Sequence, residues 1–210
     1  MEIPVYTIGH SNLGIDDFAA LLRRRQVETV ADVRSRPYSG RYPHFSQPGF
    51  EALLGERGIG YVSFGDELGG RPDDPAVYAA GYVDYSLRRK SFAFRHGLER
   101  LVILLERATV AMMCAEEDPL ECHRFLMNCA ELAAWGVAPR HIRKGGGIEE
   151  QADAEDRLLA EHGAAAVARG GLFYTPAGRA AALEEAYSRQ AAQFAFRPDR
   201  PVQQEREFGA

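Results

Sequence analysis

Thr109-Val110-Ala111-Met112-Met113-Cys114 is the segment that most constrains the fold. It is a continuous apolar run with no charged side chain. A strand without polar alternation must be covered on both faces, the condition of a parallel sheet sandwiched between helices. Its flanks agree. Across residues 92–107, Leu98, Leu101, Val102 and Leu105 recur in helical phase. After the run, Asp118 can serve as N-cap, Pro119 suits the first helical position because its missing N–H costs nothing there, and Glu121 completes a D-x-x-E capping pattern. The pattern predicts one helix from there to about Trp135-Gly136.

The alternation extends in both directions. Residues 5–8 read as a strand entering the turn Gly9-His10-Ser11-Asn12, Phe18, Leu21 and Leu22 mark a helix, and residues 27–33 form a second strand. A helix over residues 48–57 and a strand over 59–64 follow, with a fifth strand at Val137–Ile142, where Pro139 marks an edge or a bulge. Lys144-Gly145-Gly146-Gly147 breaks the pattern, and two helices are predicted beyond it, near residues 149–162 and 176–196, with no further strand. The expected architecture is α/β. Residues 1–144 form a mostly parallel sheet with helices on both faces, and residues 145–210 form a C-terminal helical appendage packed on it.

Charge and cysteine usage narrow the function classes. Residues 1–144 carry 18 Lys and Arg against 19 Asp and Glu, while residues 145–210 carry 7 against 11, so most of the net charge of −5 falls in the tail. A broad nucleic-acid surface needs a basic excess on one face, and the first part has none. No apolar run approaches the ~18 residues of a membrane span, and Met1-Glu2-Ile3-Pro4 does not open a secretion signal. Three cysteines within sixteen positions are not a disulfide framework and read as reduced thiols, so a cytoplasmic protein with no membrane partner is expected.

In open parallel sheets, ligands sit outside the carboxyl ends of the strands. The polar residues that stand out all fall there. His10 and Ser11 follow the first strand, and Asp32, Arg34, Arg36 and Tyr38 follow the second, with guanidinium forks suited to an anion and a phenol that can stack on a ring. Gly69 and Gly70 let backbone approach a ligand. Cys114-Ala115-Glu116 ends the apolar strand, Cys122-His123-Arg124 falls at the next helix, and His141 ends the fifth strand. Cys122 or Cys114 can supply a thiolate, Glu116 or Asp32 a general base or nucleophile, His10 or His123 a proton carrier, and Arg124 an anion clamp. Cys129 shares the apolar helical face with Phe125 and reads as core. A zinc-type site would use His10, Cys114, His123 and His141, but C-x7-C-H is not a standard ligand spacing and no metal ligand is assigned. No Walker loop or G-x-G-x-x-G is present, and no cofactor is assigned.

Taken in order, Thr7-Ile8-Gly9-His10-Ser11, Asp32-Val33-Arg34 with Pro37 and Ser39, Leu68-Gly69-Gly70, Met113-Cys114-Ala115-Glu116 with Asp118-Pro119, Cys122-His123-Arg124 and His141-Ile142 resemble the successive motifs of the bacterial and archaeal family known as domain of unknown function 488. The resemblance covers about residues 3–144. It implies an α/β domain whose motifs gather around one pocket, with His10, Ser11, Asp32, Arg34, Glu116, Cys122, His123, Arg124 and His141 as its site positions. It implies no activity.

The residues themselves point to an enzyme, hydrolase or transferase, acting on an anionic, ring-containing small molecule such as a nucleotide or nucleic-acid component. The alternatives are a non-catalytic nucleotide-binding regulatory domain and the zinc-type site. Direct nucleic-acid binding through residues 34–41 and Arg88-Arg89-Lys90 is the weakest reading.

Overall fold

The computed structural model describes residues 3–198; the end of the expected appendage, residues 199–210, lies outside them. In chain order the strands are β1 (Ile3–Gly9), β2 (Thr29–Asp32), β3 (Gly60–Ser63), β4 (Tyr78–Ala79), β5 (Tyr82–Val83), β6 (Val110–Cys114), β7 (Val137–Ile142) and β8 (Ile148–Glu150). The helices are α1 (Ile15–Arg23), α2 (Gly49–Gly55), α3 (Gly65–Leu68), α4 (Tyr85–Lys90), α5 (Phe92–Leu105), α6 (Ala130–Ala134), α7 (Gln151–Glu161) and α8 (Pro176–Phe194).

Six strands form one sheet in the order β3-β2-β6-β1-β7-β8, parallel except for β8, and β4 and β5 pair as a separate short hairpin. The apolar run that fixed the fold class is β6. It lies between β2 and β1, and all five of its side chains are buried. Its residues alternate between two cores. Val110, Met112 and Cys114 join α5, α7 and α8 on one face, while Ala111 and Met113 join α1 and α2 on the other. Each large apolar side chain that α1 buries there, Phe18, Leu21 and Leu22, stabilises the fold by about 1.5–3 kcal/mol.

The sheet order makes a crevice. β1 and β2 lead into α1 and α2 on one face, whereas β6, lying between them, sends its chain to the opposite face. Loops diverging on either side of a central strand open a cleft at its carboxyl end.

Three expectations need correction. The tail does add a strand: the glycine run closes a tight turn in which Gly146 N–H donates to Arg143 O and Arg143 N–H to Gly147 O, and β8 returns antiparallel to β7. β7 is therefore not the sheet edge, although β8 pairs only Arg140–Ile142 and leaves Pro139 outside that shared register. The single helix expected after Asp118 is interrupted. Asp118 caps only the 3-10 turn Pro119–Glu121, Cys122 is extended, and a new helix begins with the π-helical stretch Arg124–Cys129 that continues into α6. Among the described residues, no helix is long and apolar enough to cross a membrane.

Candidate functional site

The end of β6 is built around a close approach. Gly9 ends β1 beside Cys114, and a Cβ there would stand 1.7 Å from the carbonyl oxygen of Glu116. With only hydrogen on Gly9, the loop after β6 crosses the end of β1, and His10 N–H and Ser11 N–H donate to the carbonyls of Cys114 and Ala115, both at 2.9 Å. Arg124 holds the loop from the other side. Its Nη1 donates to Glu116 O at 2.6 Å, its Nη2 to Glu117 O at 2.8 Å, and its Nε to Thr7 Oγ1 at 3.4 Å.

This loop and the extended Cys122 bring together four groups that lie up to nine positions apart in sequence. Glu116 Oε2 lies 2.9 Å from Cys114 Sγ and 3.1 Å from Cys122 Sγ. His123 Nε2 donates to Val33 O at 2.9 Å, which orients the ring and turns Nδ1 toward both sulfurs, at 3.7 and 3.8 Å. Gly70 lies against that ring, with a Cβ position 2.9 Å from His123 Cγ. Burial opposes a Cys122 thiolate, but the Cys114 thiol and the Arg124 and His123 charges outweigh it and pull Cys122 well below the usual thiol range. Burial and the neighbouring Cys122 push Cys114 up, and the same two causes raise the Glu116 carboxyl. Burial acts against a His123 imidazolium, yet the Cys122 and Glu116 charges raise it overall.

Cys114, Glu116 and His123 line a cavity of about 400 Å³ that also touches His10, Arg34, Arg36, Tyr38 and Gly70. Ser35 and Ser39, from the same loop as Arg34, also line it, and sequence reasoning missed other parts of its wall: Arg71, Tyr85, Glu121, Phe194 and Phe196. Arg71 was marked only by its neighbours Gly69 and Gly70. Its guanidinium lies over the Phe196 ring at 4.8 Å, and its N–H donates to Ser35 Oγ at 2.8 Å. Phe194 and Phe196 arrive from the far end of the chain, and no local signal announced them.

The remaining sequence candidates sit differently. Asp32 is buried and already fully bonded, accepting from Arg34 Nε, Nη2 and backbone N–H and from Tyr61 Oη. It positions Arg34 and does not line the cavity. Arg34 presents Nη1 to His10 Nε2 at 3.4 Å, and His10, stacked on Phe45, bonds Ser11 O through Nδ1. Gly69 shapes the wall from behind, since a Cβ there would lie 2.2 Å from Ser35 Oγ. Ser11, Arg124 and His141 are not in the lining. Arg124 is occupied by backbone carbonyls and is no anion clamp. His141 donates to Gln151 Oε1 and accepts from Thr7, tying β7 to β1 and α7. Cys129 is buried in the core, and Arg88, expected on a basic surface, is buried with Nη2 on the carbonyls of Asp66 and Glu67.

Burial and the Arg34 charge lower His10 to about 4, and burial and the Arg124 charge lower His141 to about 3. Between those values and the unfolded histidine near 6.5, the unfolded chain binds protons that the folded one does not. Stability is therefore complete above about pH 6.5 and falls as pH drops, by up to about 1.4 kcal/mol per pH unit for each histidine. His141→Gln is expected to flatten that slope by about one histidine's share in urea melts from pH 7 to 4.5. An unchanged slope would mean that His141 is charged in the folded chain.

A family model described as domain of unknown function DUF488 matches residues 14–130, more than half of the chain. The chain belongs to this family. Searches of curated proteins and of solved structures found no match. The DUF488 match spans Arg34, Gly70, Cys114, Glu116, Cys122 and His123, while His10, Ser11 and His141 fall outside it.

Proposed function

We propose that this DUF488 protein is a cytoplasmic enzyme that binds an anionic, ring-containing small molecule of the nucleotide class in the cavity at the strand ends and carries out a hydrolysis or group transfer on it. One observation carries the reading. A thiol, a carboxylate and an imidazole lie within hydrogen-bonding reach on the wall of a cavity also lined by Arg36, Arg71, Tyr38 and Phe196, with Arg34 held there by Asp32. Guanidinium groups recognise phosphate or carboxylate, and the rings offer faces for stacking. Burial and the Cys122 charge raise Glu116, and the Cys122 and Glu116 charges raise His123 against the effect of burial, so both groups favour their protonated forms and can serve as proton donors. Three buried free thiols suit a reducing compartment.

The test begins with a thermal-denaturation screen of nucleoside mono- and diphosphates, sugar phosphates and inorganic anions. A ligand at 100 times its Kd adds about 2.7 kcal/mol. Hits are then followed for turnover. Glu116→Gln is expected to lower turnover by about 10²–10⁴-fold while changing binding only a few-fold. Unchanged turnover would remove the carboxylate from the chemistry. A hit recovered intact from wild-type protein after long incubation would favour the regulatory binding domain.

A further inference from the structure

Cys114 Sγ, Cys122 Sγ, His123 Nδ1 and a Glu116 carboxylate oxygen all lie within 4.8 Å of one another, and we propose that they bind a single thiophilic divalent ion of the zinc type. Two thiolates, an imidazole and a carboxylate are the donors zinc accepts, and the soft sulfur pair disfavours magnesium or calcium. In a zinc tetrahedron with bonds of about 2.0–2.3 Å, ligand atoms stand about 3.3–3.8 Å apart. The sulfur–Nδ1 separations of 3.7 and 3.8 Å already fit, and the sulfur–oxygen contacts of 2.9 and 3.1 Å need only a small opening.

The surroundings are those of a ligand set. A metal-binding histidine characteristically donates its other ring N–H to an acceptor that fixes its orientation, and His123 does so to the Val33 carbonyl, with Gly70 against its ring. Arg124 N–H donates to Cys122 Sγ at 3.5 Å, and the buried Arg124 guanidinium places a positive charge on the loop that carries the anionic donors. Cys114 ends a central strand and His123 opens a helix, so these ligands are on rigid elements. Cys122 is buried behind them, while Glu116, open along its stem but with its carboxylate enclosed against the two buried sulfurs, faces the cavity with Cys114 and His123, which gives the ion a way in.

Sequence reasoning had paired Cys114 and His123 with His10 and His141. Both imidazole nitrogens of each of those histidines already face a hydrogen-bond partner, and Cys122 and Glu116 replace them. Each thiol that enters as thiolate releases one proton to solvent, and nothing is oxidised or reduced. A bound ion would take up Glu116 and His123, the pair to which the proposed acid–base chemistry assigns proton transfer, so that chemistry belongs to the metal-free protein.

The test uses the full chain, stripped with a chelator under reductant and titrated with Co2+. One equivalent is expected to bind and to give a near-ultraviolet thiolate-to-cobalt charge-transfer band with the visible bands of a tetrahedral ion, all lost on adding Zn2+. Cys114→Ser and Cys122→Ser should each weaken Zn2+ binding by at least about 100-fold, whereas Cys129→Ala, outside the cluster, should keep the cobalt spectrum. The wild-type spectrum decides the matter even if a serine variant does not fold. A folded chain whose thiols titrate as reduced but which gives no charge-transfer band overturns the proposal, as does a band that survives both serine substitutions. A cobalt spectrum without a hit in the anion screen would defeat only the functional reading, and an anion turned over by metal-free protein with no cobalt band would defeat only this one.

Discussion

Arg124→Met is expected to destabilise the protein by about 3 kcal/mol or more, with Arg124→Lys falling between it and wild type. The side chain is buried and its donors are committed inward, to the carbonyls of Glu116 and Glu117 and to Thr7. Hydrogen bonds from a charged donor contribute about 1.5–3 kcal/mol each, and methionine keeps much of the stem while removing all of them. Lysine keeps the charge but is a point donor that cannot reproduce a planar fork gripping two adjacent carbonyls. Against a typical total of about 5–15 kcal/mol, the loss is large enough to read directly from urea melts. An anion clamp behaves in the opposite way: its removal weakens ligand binding and leaves stability near wild type. That outcome would restore the role the sequence suggested for Arg124.

The contrast shows where sequence reasoning reached its limit. β6 was legible because a double-sided apolar run has one common structural solution, and the helices at Phe92–Leu105 and Pro176–Phe194 followed from period and flanking residues. The order of the strands was not legible, since it depends on which crossover passes beside which, and that choice is made by tertiary packing. β4, β5 and β8 are two or three residues long, too short for an alternating pattern to register. The break at Cys122 was hidden by a capping pattern that predicts a helix start without predicting how far the helix runs. Asp118 caps Leu120 N–H, and Arg157 binds the same carboxylate.

Site residue types were easier to find than their duties. A guanidinium fork fits a phosphate, a carboxylate or a pair of backbone carbonyls equally well, so Arg34, Arg88 and Arg124 looked alike in sequence. Folding assigns them to Asp32, to Asp66 and Glu67, and to Glu116 and Glu117. The Cys114, Glu116, Cys122 and His123 cluster was visible as a segment. Its common focus depended on the extended Cys122 and on a loop crossing a glycine.

Gly9→Ala is the sharper test of that focus and is expected to cost at least about 3 kcal/mol, a loss that urea melts read directly. The new methyl would sit 1.7 Å from Glu116 O, 2.5 Å from its carbonyl carbon and 2.9 Å from Glu117 Cα. All three are backbone atoms, so no rotamer change relieves the clash, and overpacking against a fixed backbone exceeds the ~1–3 kcal/mol of an ordinary core insertion. The loop is also tied by Arg124 and by the N–H groups of His10 and Ser11, so it can retreat only by releasing those bonds. Gly55→Ala supplies the control. Nothing lies within 4 Å of its Cβ position in α2, and replacing a helical glycine should be neutral or stabilise by up to about 1 kcal/mol. If Gly9→Ala melts with the wild-type protein, the loop does not cross β1 as closely as described, and the convergence of Glu116 on Cys114, Cys122 and His123 loses its physical basis.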